Sequence, residues 1–326
     1  MTMQTRRAAS LASGPDEICN RLEERLGRVH ARQRLGIERE HEAQVFGQGL
    51  NFFHIENLTT SHVLIRAALM VTGLYWRGLN NAKQVRVTHN VIRSSRLPAS
   101  FQGFTMLQIS DPHVDMNVEV MQRVESLVDR LHYDVCVLTG DYRGLTFGPI
   151  DTTLAAMARL RRALQGPVYG VLGNHDTITM VPAFEAMGIR MLLNENEVLE
   201  RGNQRIHLAG IDDAHFYQMD NIEKAASGIP QEEFSILISH TPEIYRHAAH
   251  TGFDMLISGH THGGQICLPG GLPLTLDSNL PRRFGAGSWN YQGMLGYTSR
   301  GTGSSVVPVR FNCPPEITLH HFQSNG

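Results

Sequence analysis

The chain has 326 residues, 41% hydrophobic and 18% charged, with 31 Gly and 14 Pro. That composition excludes a mainly disordered, collagen-like or coiled-coil chain, and at about 100–200 residues per domain the length allows one large domain plus an appendage, or two domains. A net charge of −2 excludes a nucleic-acid binder acting through bulk charge; the four cysteines are far apart without a CxxC pair, which suits a reducing, cytoplasmic compartment, and 17 histidines turn attention to metal chemistry.

Arg6-Arg7 could open a twin-arginine export signal, but no apolar run of the needed length follows, so none is expected. Ser13-Gly14-Pro15-Asp16 reads as a capping box ahead of a long charged helix to about Gln44. A second helix is expected over about 60–77. Its apolar stretch, 62–76, is shorter than the ~20 residues of a membrane span and carries Arg66, which leaves a buried helix or one lying on a membrane surface. Residues 1–100 hold 13 Arg and one Lys against eight acids, whereas the rest holds 15 bases against 23 acids. The asymmetry predicts either peripheral contact with an anionic membrane through the N-terminal region or a plain solvated arginine-rich segment.

Residues 84–92 (QVRVTHNVI) alternate like a strand. From 104 onward the pattern repeats strand, loop, helix: strands at 104–110, 134–139 and 168–172, helices at 118–131 and 152–164. A hairpin at 197–199 and 205–209 turns at Gly202-Asn203, and buried strands follow at 235–239 and 255–258. The expected fold class is α/β, a sandwich of helices over sheets.

Polar residues stand directly after the apolar runs: Asp111 and His113, Asp141, Asn174-His175-Asp176, His240, then His260 and His262. Loops converge at the carboxyl ends of strands in α/β sheets, so these side chains are expected to meet. Asp111, Asp141 and Asn174 with His113, His240, His260 and His262 form a mixed N/O donor set suited to Mn²⁺, Fe²⁺ or Zn²⁺. Seven donors are too many for one ion and suit two if a carboxylate bridges. The glycines before Asp141, Asn174 and His260 are expected to let the backbone turn tightly. No GxSxG, P-loop or GxGxxG competes for the chemistry.

The series DPH (111–113), GD (140–141), GNHD (173–176), SH (239–240) and GHTH (259–262) resembles the signature of calcineurin-like metallophosphoesterases. The segments 259–269, 297–311 and 314–322 resemble a phosphodiesterase-like bacterial subgroup that overlaps with UDP-2,3-diacylglucosamine pyrophosphatases. The resemblance implies a four-layer α-β-β-α sandwich of two mixed sheets over 84–326, behind a mainly helical extension over 1–83. It implies two divalent ions, manganese first and iron or zinc as alternatives, held by residues matching Asp111, His113, Asp141 and His262, and by Asp141, Asn174, His240 and His260. It further implies hydrolysis of a phosphodiester or pyrophosphate bond by a hydroxide shared between the ions. His175 would act on the leaving group and Asp176 would orient it. The short GDYRG segment (140–144) departs from the protein-phosphatase branch, which leaves Arg143 or Arg300 to hold phosphate. A lipid-linked nucleotide at the inner membrane face is the expected substrate, and a soluble diester such as a cyclic nucleotide or glycerophosphodiester the alternative. No nucleic-acid or specific protein partner is expected. Every ligand type is present, which argues against a metal-free scaffold.

Overall fold

The computed structural model describes residues 14–47 and 59–324. Each long N-terminal helix expected from the sequence is two helices, and each break falls at a glycine in left-handed backbone. Helix α1 (Pro15–Leu26) gives way to α2 (Arg28–Gly47) at Gly27, φ 89°, and α3 (Thr59–Val71) to α4 (Tyr75–Ala82) around Gly73, φ 70°. The expected capping box is replaced by Gly14 at the N-cap with no side-chain cap and Pro15 in the first turn; Ser13 lies outside the described residues.

Strand β1 (Arg86–Ser94) leads to β2 (Thr105–Ile109), α5 (Val118–Val128), β3 (Val135–Leu138), α6 (Asp151–Ala163), β4 (Val168–Gly170), α7 (Val181–Ala186) and β5 (Ile189–Met191). Next come the hairpin β6 (Glu195–Arg201) and β7 (Gln204–Gly210), α8 (Ile222–Ala226), β8 (Ser235–Ile238), α9 (Tyr245–Thr251) and β9 (Met255–Ser258). The chain ends with a small hairpin, β10 (Cys267–Leu268) and β11 (Leu272–Pro273), then β12 (Gly287–Tyr291), β13 (Met294–Thr298) and β14 (Glu316–Ser324). One six-stranded sheet runs β1-β14-β2-β3-β4-β5, and a second runs β12-β13-β9-β8-β7-β6. Both are mixed: β2 through β5 are parallel with β14 antiparallel to β2, and β7-β8-β9-β13 are parallel with antiparallel edges β6 and β12.

Period-two alternation sorts the strand residues. On β3, Val135 and Val137 face the layer between the sheets, where they join Ile236, Ile238 and Ile257, whereas Cys136 and Leu138 face the helices outside. Gln108 lies between the sheets and ties them: its Nε2 donates to Ser258 O at 2.9 Å and to Thr139 Oγ1 at 3.1 Å. Helices α5, α6 and α7 cover the first sheet, and α8 and α9 the second, so the layers are α-β-β-α as expected. Leu22, Leu26 and Ala31 belong to the core over the first sheet, so the first half of the expected extension packs as part of that outer layer. Among the described residues no helix is long and apolar enough to cross a membrane.

Candidate metal centre

Strands β2, β3, β8 and β9, and the loop after β4, bring their carboxyl ends to one edge of the sandwich, where the backbone is bent hard. Asp111, His113, Asp141, His260 and His262 all have positive φ, between 39° and 69°. Such conformations are disfavoured for L-residues other than glycine and persist where the surroundings over-determine them. Five of the seven residues expected as ligands therefore sit on kinked backbone. The glycines serve close approach more than turning. Gly140 has φ 87°, but at Gly173 and Gly259 φ is ordinary, and an added Cβ would collide with Asp141 and with the Ser110 and Asp111 side chains.

All seven expected ligands are buried. They meet as two clusters, Asp111 with His113 and His262, and Asp141 with His240 and His260, each with donor atoms within 4.8 Å of one another. His113 Nε2 and His262 Nε2 are 3.2 Å apart on stacked rings, and His262 Nε2 is 3.6 Å from Asp111 Oδ1. His240 Nε2 is 2.9 Å from Asn174 Oδ1 and 3.3 Å from Asp141 Oδ2.

The tautomers follow from the outer contacts. His113 Nδ1 lies 2.8 Å from Arg143 O, and His240 Nδ1 lies 2.8 Å from Thr139 O. A carbonyl only accepts, so each Nδ1 carries hydrogen and each neutral ring turns the Nε2 lone pair inward. For His240 that would set an acceptor against two further acceptors, a conflict that a proton on Nε2 or a bound cation removes. Burial opposes charge on His240, but Asp141 and Asp111 outweigh it and push the imidazole up to about 10, so the site favours positive charge at this point. Burial also opposes charge on Asp141, yet His240, His175 and His113 hold that carboxyl well below the usual carboxylate range. Burial raises Asp111, with Asp141 adding to the rise against the pull of His240. By donor chemistry, the residues fit a pair of divalent cations.

His175 stands between the clusters, its ring 5.4 Å from that of His113 and its Nε2 4.0 Å from Asp141 Oδ2. Asp176 takes a different place from the one expected. Its carboxylate accepts backbone N–H groups of Asp141 (2.8 Å), Tyr142 (2.9 Å) and Gly173 (2.9 Å), clamping two ligand loops together. The hydroxyl of Thr146 lies 3.1 Å from His175 Nδ1. Arg143, expected as a phosphate contact, is buried and turned to the backbone carbonyls of His175, Thr146 and Gly148. Arg300 is half-buried and pairs with Glu316 at 2.8 Å.

The sequence reading missed the part played by α2. Arg34 is fully buried, donates to Asp176 O at 3.0 Å, pairs with Glu38 at 2.7 Å and lies 3.3 Å over the Tyr217 ring. Glu38 accepts from Ile178 N at 2.7 Å, and His30 pairs with buried Asp212 at 2.8 Å. Apart from the Arg34–Glu38 pair on one helix face, no local signal marks these residues, because their other partners lie more than 130 positions away. Asp213 caps its own loop, accepting from the backbone of His215, Phe216 and Tyr217. His215 borders the second cluster, its ring 4.2 Å from that of His260.

Residues 104–264 match the calcineurin-like phosphoesterase family. An uncharacterized metallophosphoesterase of Bacillus subtilis (strain 168), YkuE, is 30% identical over 255 residues, covering 74% of this chain and 87% of that protein. A transmembrane protein with metallophosphoesterase domain from Danio rerio is 30% identical over 279 residues, 80% of this chain; the chain spans 61% of that relative's length. The phosphodiesterase YaeI of Escherichia coli (strain K12) is 27% identical over 198 residues, 57% of this chain and 69% of that protein.

Proposed function

The chain belongs to the calcineurin-like phosphoesterase family, and from that premise we propose that it is a dinuclear metal-dependent hydrolase of a phosphodiester or pyrophosphate bond. The observation that carries the reading is the pair of buried donor clusters on kinked backbone. Asp111, His113, Asp141 and His262 would hold one divalent ion, and Asp141, Asn174, His240 and His260 a second, with Asp141 shared. Manganese is the first choice, with iron and zinc as alternatives for this N/O set. The pair, when bound, supplies Lewis acidity toward the phosphoryl oxygens and lowers the pKa of water.

The chain's own residues do the rest. Arg143 O and Thr139 O keep hydrogen on Nδ1 of His113 and His240, which aims both Nε2 atoms at the centre. His175 holds a proton for the departing oxygen, help of a kind worth ~10²–10⁴-fold. Thr146 and Arg143 position that imidazole, one at Nδ1 and the other at its backbone. Asp176 keeps the loops after β3 and β4 in register. Arg143 is engaged with three carbonyls and Arg300 with the Glu316 carboxylate, so Arg300 would meet phosphate only by exchanging that partner.

Within this class the diester is favoured over the monoester by the phosphodiesterase name of the E. coli relative. A lipid-linked nucleotide such as UDP-2,3-diacylglucosamine draws support from the residues between Glu56 and Asp111, which hold six bases and no acid. A panel assay with Mn²⁺ tests the proposal, comparing a nitrophenyl monoester, a bis-nitrophenyl diester, a cyclic nucleotide and a UDP-linked pyrophosphate. Turnover of the diester or pyrophosphate above the monoester is expected. Monoester preference, or no metal-dependent turnover, would overturn it.

A further inference from the structure

The most apolar N-terminal helix packs Ile65 and Leu69 inward but leaves its C-terminal end open. Val71 is 89% exposed and Trp76 68%, with Met70 and Leu74 also open to solvent at the corner between α3 and α4. Beneath them α4 lies on the strap 307–311: Tyr75 packs on Val307 and Val309, and Arg310 N donates to Gly78 O at 3.0 Å. The strap also carries the β10–β11 hairpin, through the Ile266–Phe311 bridge and a 2.8 Å bond from Asn312 Nδ2 to Cys267 O. Leu268 and Leu272 of that hairpin, and Leu274 just beyond it, are likewise exposed.

Beside the hairpin opens a cavity of about 470 Å³, lined on that side by Gly270 and Gly271 of the turn and Pro273 of β11. Arg86, Arg282, Arg283 and Arg300 line it, and Glu316 is the only acid among the described lining residues. Arg300 neutralises Glu316, which leaves three guanidinium groups facing one hollow. Residues 59–110 contain six bases and no acid; of these Lys83 pairs with Glu119 and Arg96 with Asp254, while Arg86 lines the cavity and Arg66 and Arg77 lie on α3 and α4.

We propose that this face docks on an anionic lipid bilayer, with lipid phosphates in the arginine-lined cavity and Val71, Trp76 and the hairpin leucines in the interfacial layer. The chemistry matches on both counts. Guanidinium groups bind phosphate oxygens in bidentate fashion, tryptophan favours the headgroup level, and exposed aliphatic side chains gain by entering the acyl boundary. Each base near such a surface adds attraction that falls off within a Debye length. A second copy of the chain is a poorer occupant, since a two-fold contact through this face would oppose arginine to arginine. The inference rests on charge and exposure and not on the hydrolytic reaction, although docking would bring a lipid-borne phosphoester to the enzyme.

Vesicle flotation of the full chain tests it, using phosphatidylcholine alone and a 7:3 mixture of phosphatidylcholine with phosphatidylglycerol. Binding to the mixed vesicles, weakened by salt, is expected, with little to the neutral ones. The Arg282→Glu/Arg283→Glu variant should lose at least ~30-fold in vesicle affinity and Val71→Asp/Trp76→Ala at least ~10-fold. Both variants should retain wild-type turnover of a soluble diester, which shows that they fold. Absent or equal binding to the two vesicle types, or variants that float like wild type, would overturn the proposal. So would thermal stabilisation by inorganic phosphate that depends on Arg282 without vesicle binding; the cavity would then serve a soluble phosphate. Docking without any hydrolysis would leave this inference standing and remove the proposed function instead.

Discussion

The two halves of the N-terminal region invert what their compositions suggest. Helices α1 and α2 are charged, yet they bury Leu22, Leu26 and Ala31 in the core and send a fully buried Arg34 to the loop that carries Asn174, His175 and Asp176. Helix α3 and the corner before α4 are apolar, yet Met70, Val71, Leu74 and Trp76 face solvent. Charge density along a helix therefore does not decide which side is inside; what decides is whether a buried partner exists for each polar group. Arg34 has Glu38, Asp212, Tyr217 and the Asp176 carbonyl, so its desolvation is offset. Val71 is 89% exposed, so among the described residues it gains little from burial.

The contrast can be broken or sharpened by substitution. Arg34→Ala has the largest expected effect, because it leaves Asp212 buried without its guanidinium partner. About 3–5 kcal/mol of stability should be lost in denaturant titrations, and turnover should fall as the 174–178 loop loosens. A loss under 1 kcal/mol would mean that α2 merely rests on the sheet. Leu22→Ala should cost about 2–5 kcal/mol by the cavity it opens, with less effect on turnover because Leu22 makes no hydrogen bond or ion pair to the ligand loops that its loss would break.

A surface cluster gives the comparison a control. Glu233 sits outside the core and bonds to Arg205 and His207, which hold its carboxyl down at about 2. A depressed carboxylate stabilises the fold above its unfolded pKa and stops doing so as pH falls through the folded one. The melting-temperature gap between wild type and Glu233→Gln should thus be constant above about pH 5 and shrink from pH 4.5 toward 2. A gap that widens in acid would contradict the sign. Val71→Ser should change stability least, within about 0.5 kcal/mol; a larger loss would show that Val71 itself packs, as Ile65 and Leu69 of the same helix do.

Much of this arrangement could be read from the chain beforehand, and what could not has identifiable causes. Strands β2, β3, β8 and β9 are short, largely apolar and almost entirely buried runs ending in polar motifs, so both the element and its functional end are local signals. The helix breaks at Gly27 and Gly73 went unseen because a single glycine inside a helical pattern is often tolerated. Strand β14 carries His320 in its interior, an unfavourable residue for a strand until Gln108 and Asn90 from neighbouring strands supply its bonds. The histidines and aspartates of the site could be named because each follows its own strand. Their helpers could not: Thr146, Arg34 and Glu38 act through contacts that only the folded chain brings about.

The central claim is that Asp141 belongs to two cation sites at once. Calorimetric titration with Mn²⁺, with metal content measured on the same protein, tests it most directly. Wild type should bind two ions per chain, and Asp141→Ala should bind fewer than one with turnover abolished. Two ions retained by the variant, or no more than one bound by wild type, would contradict the account.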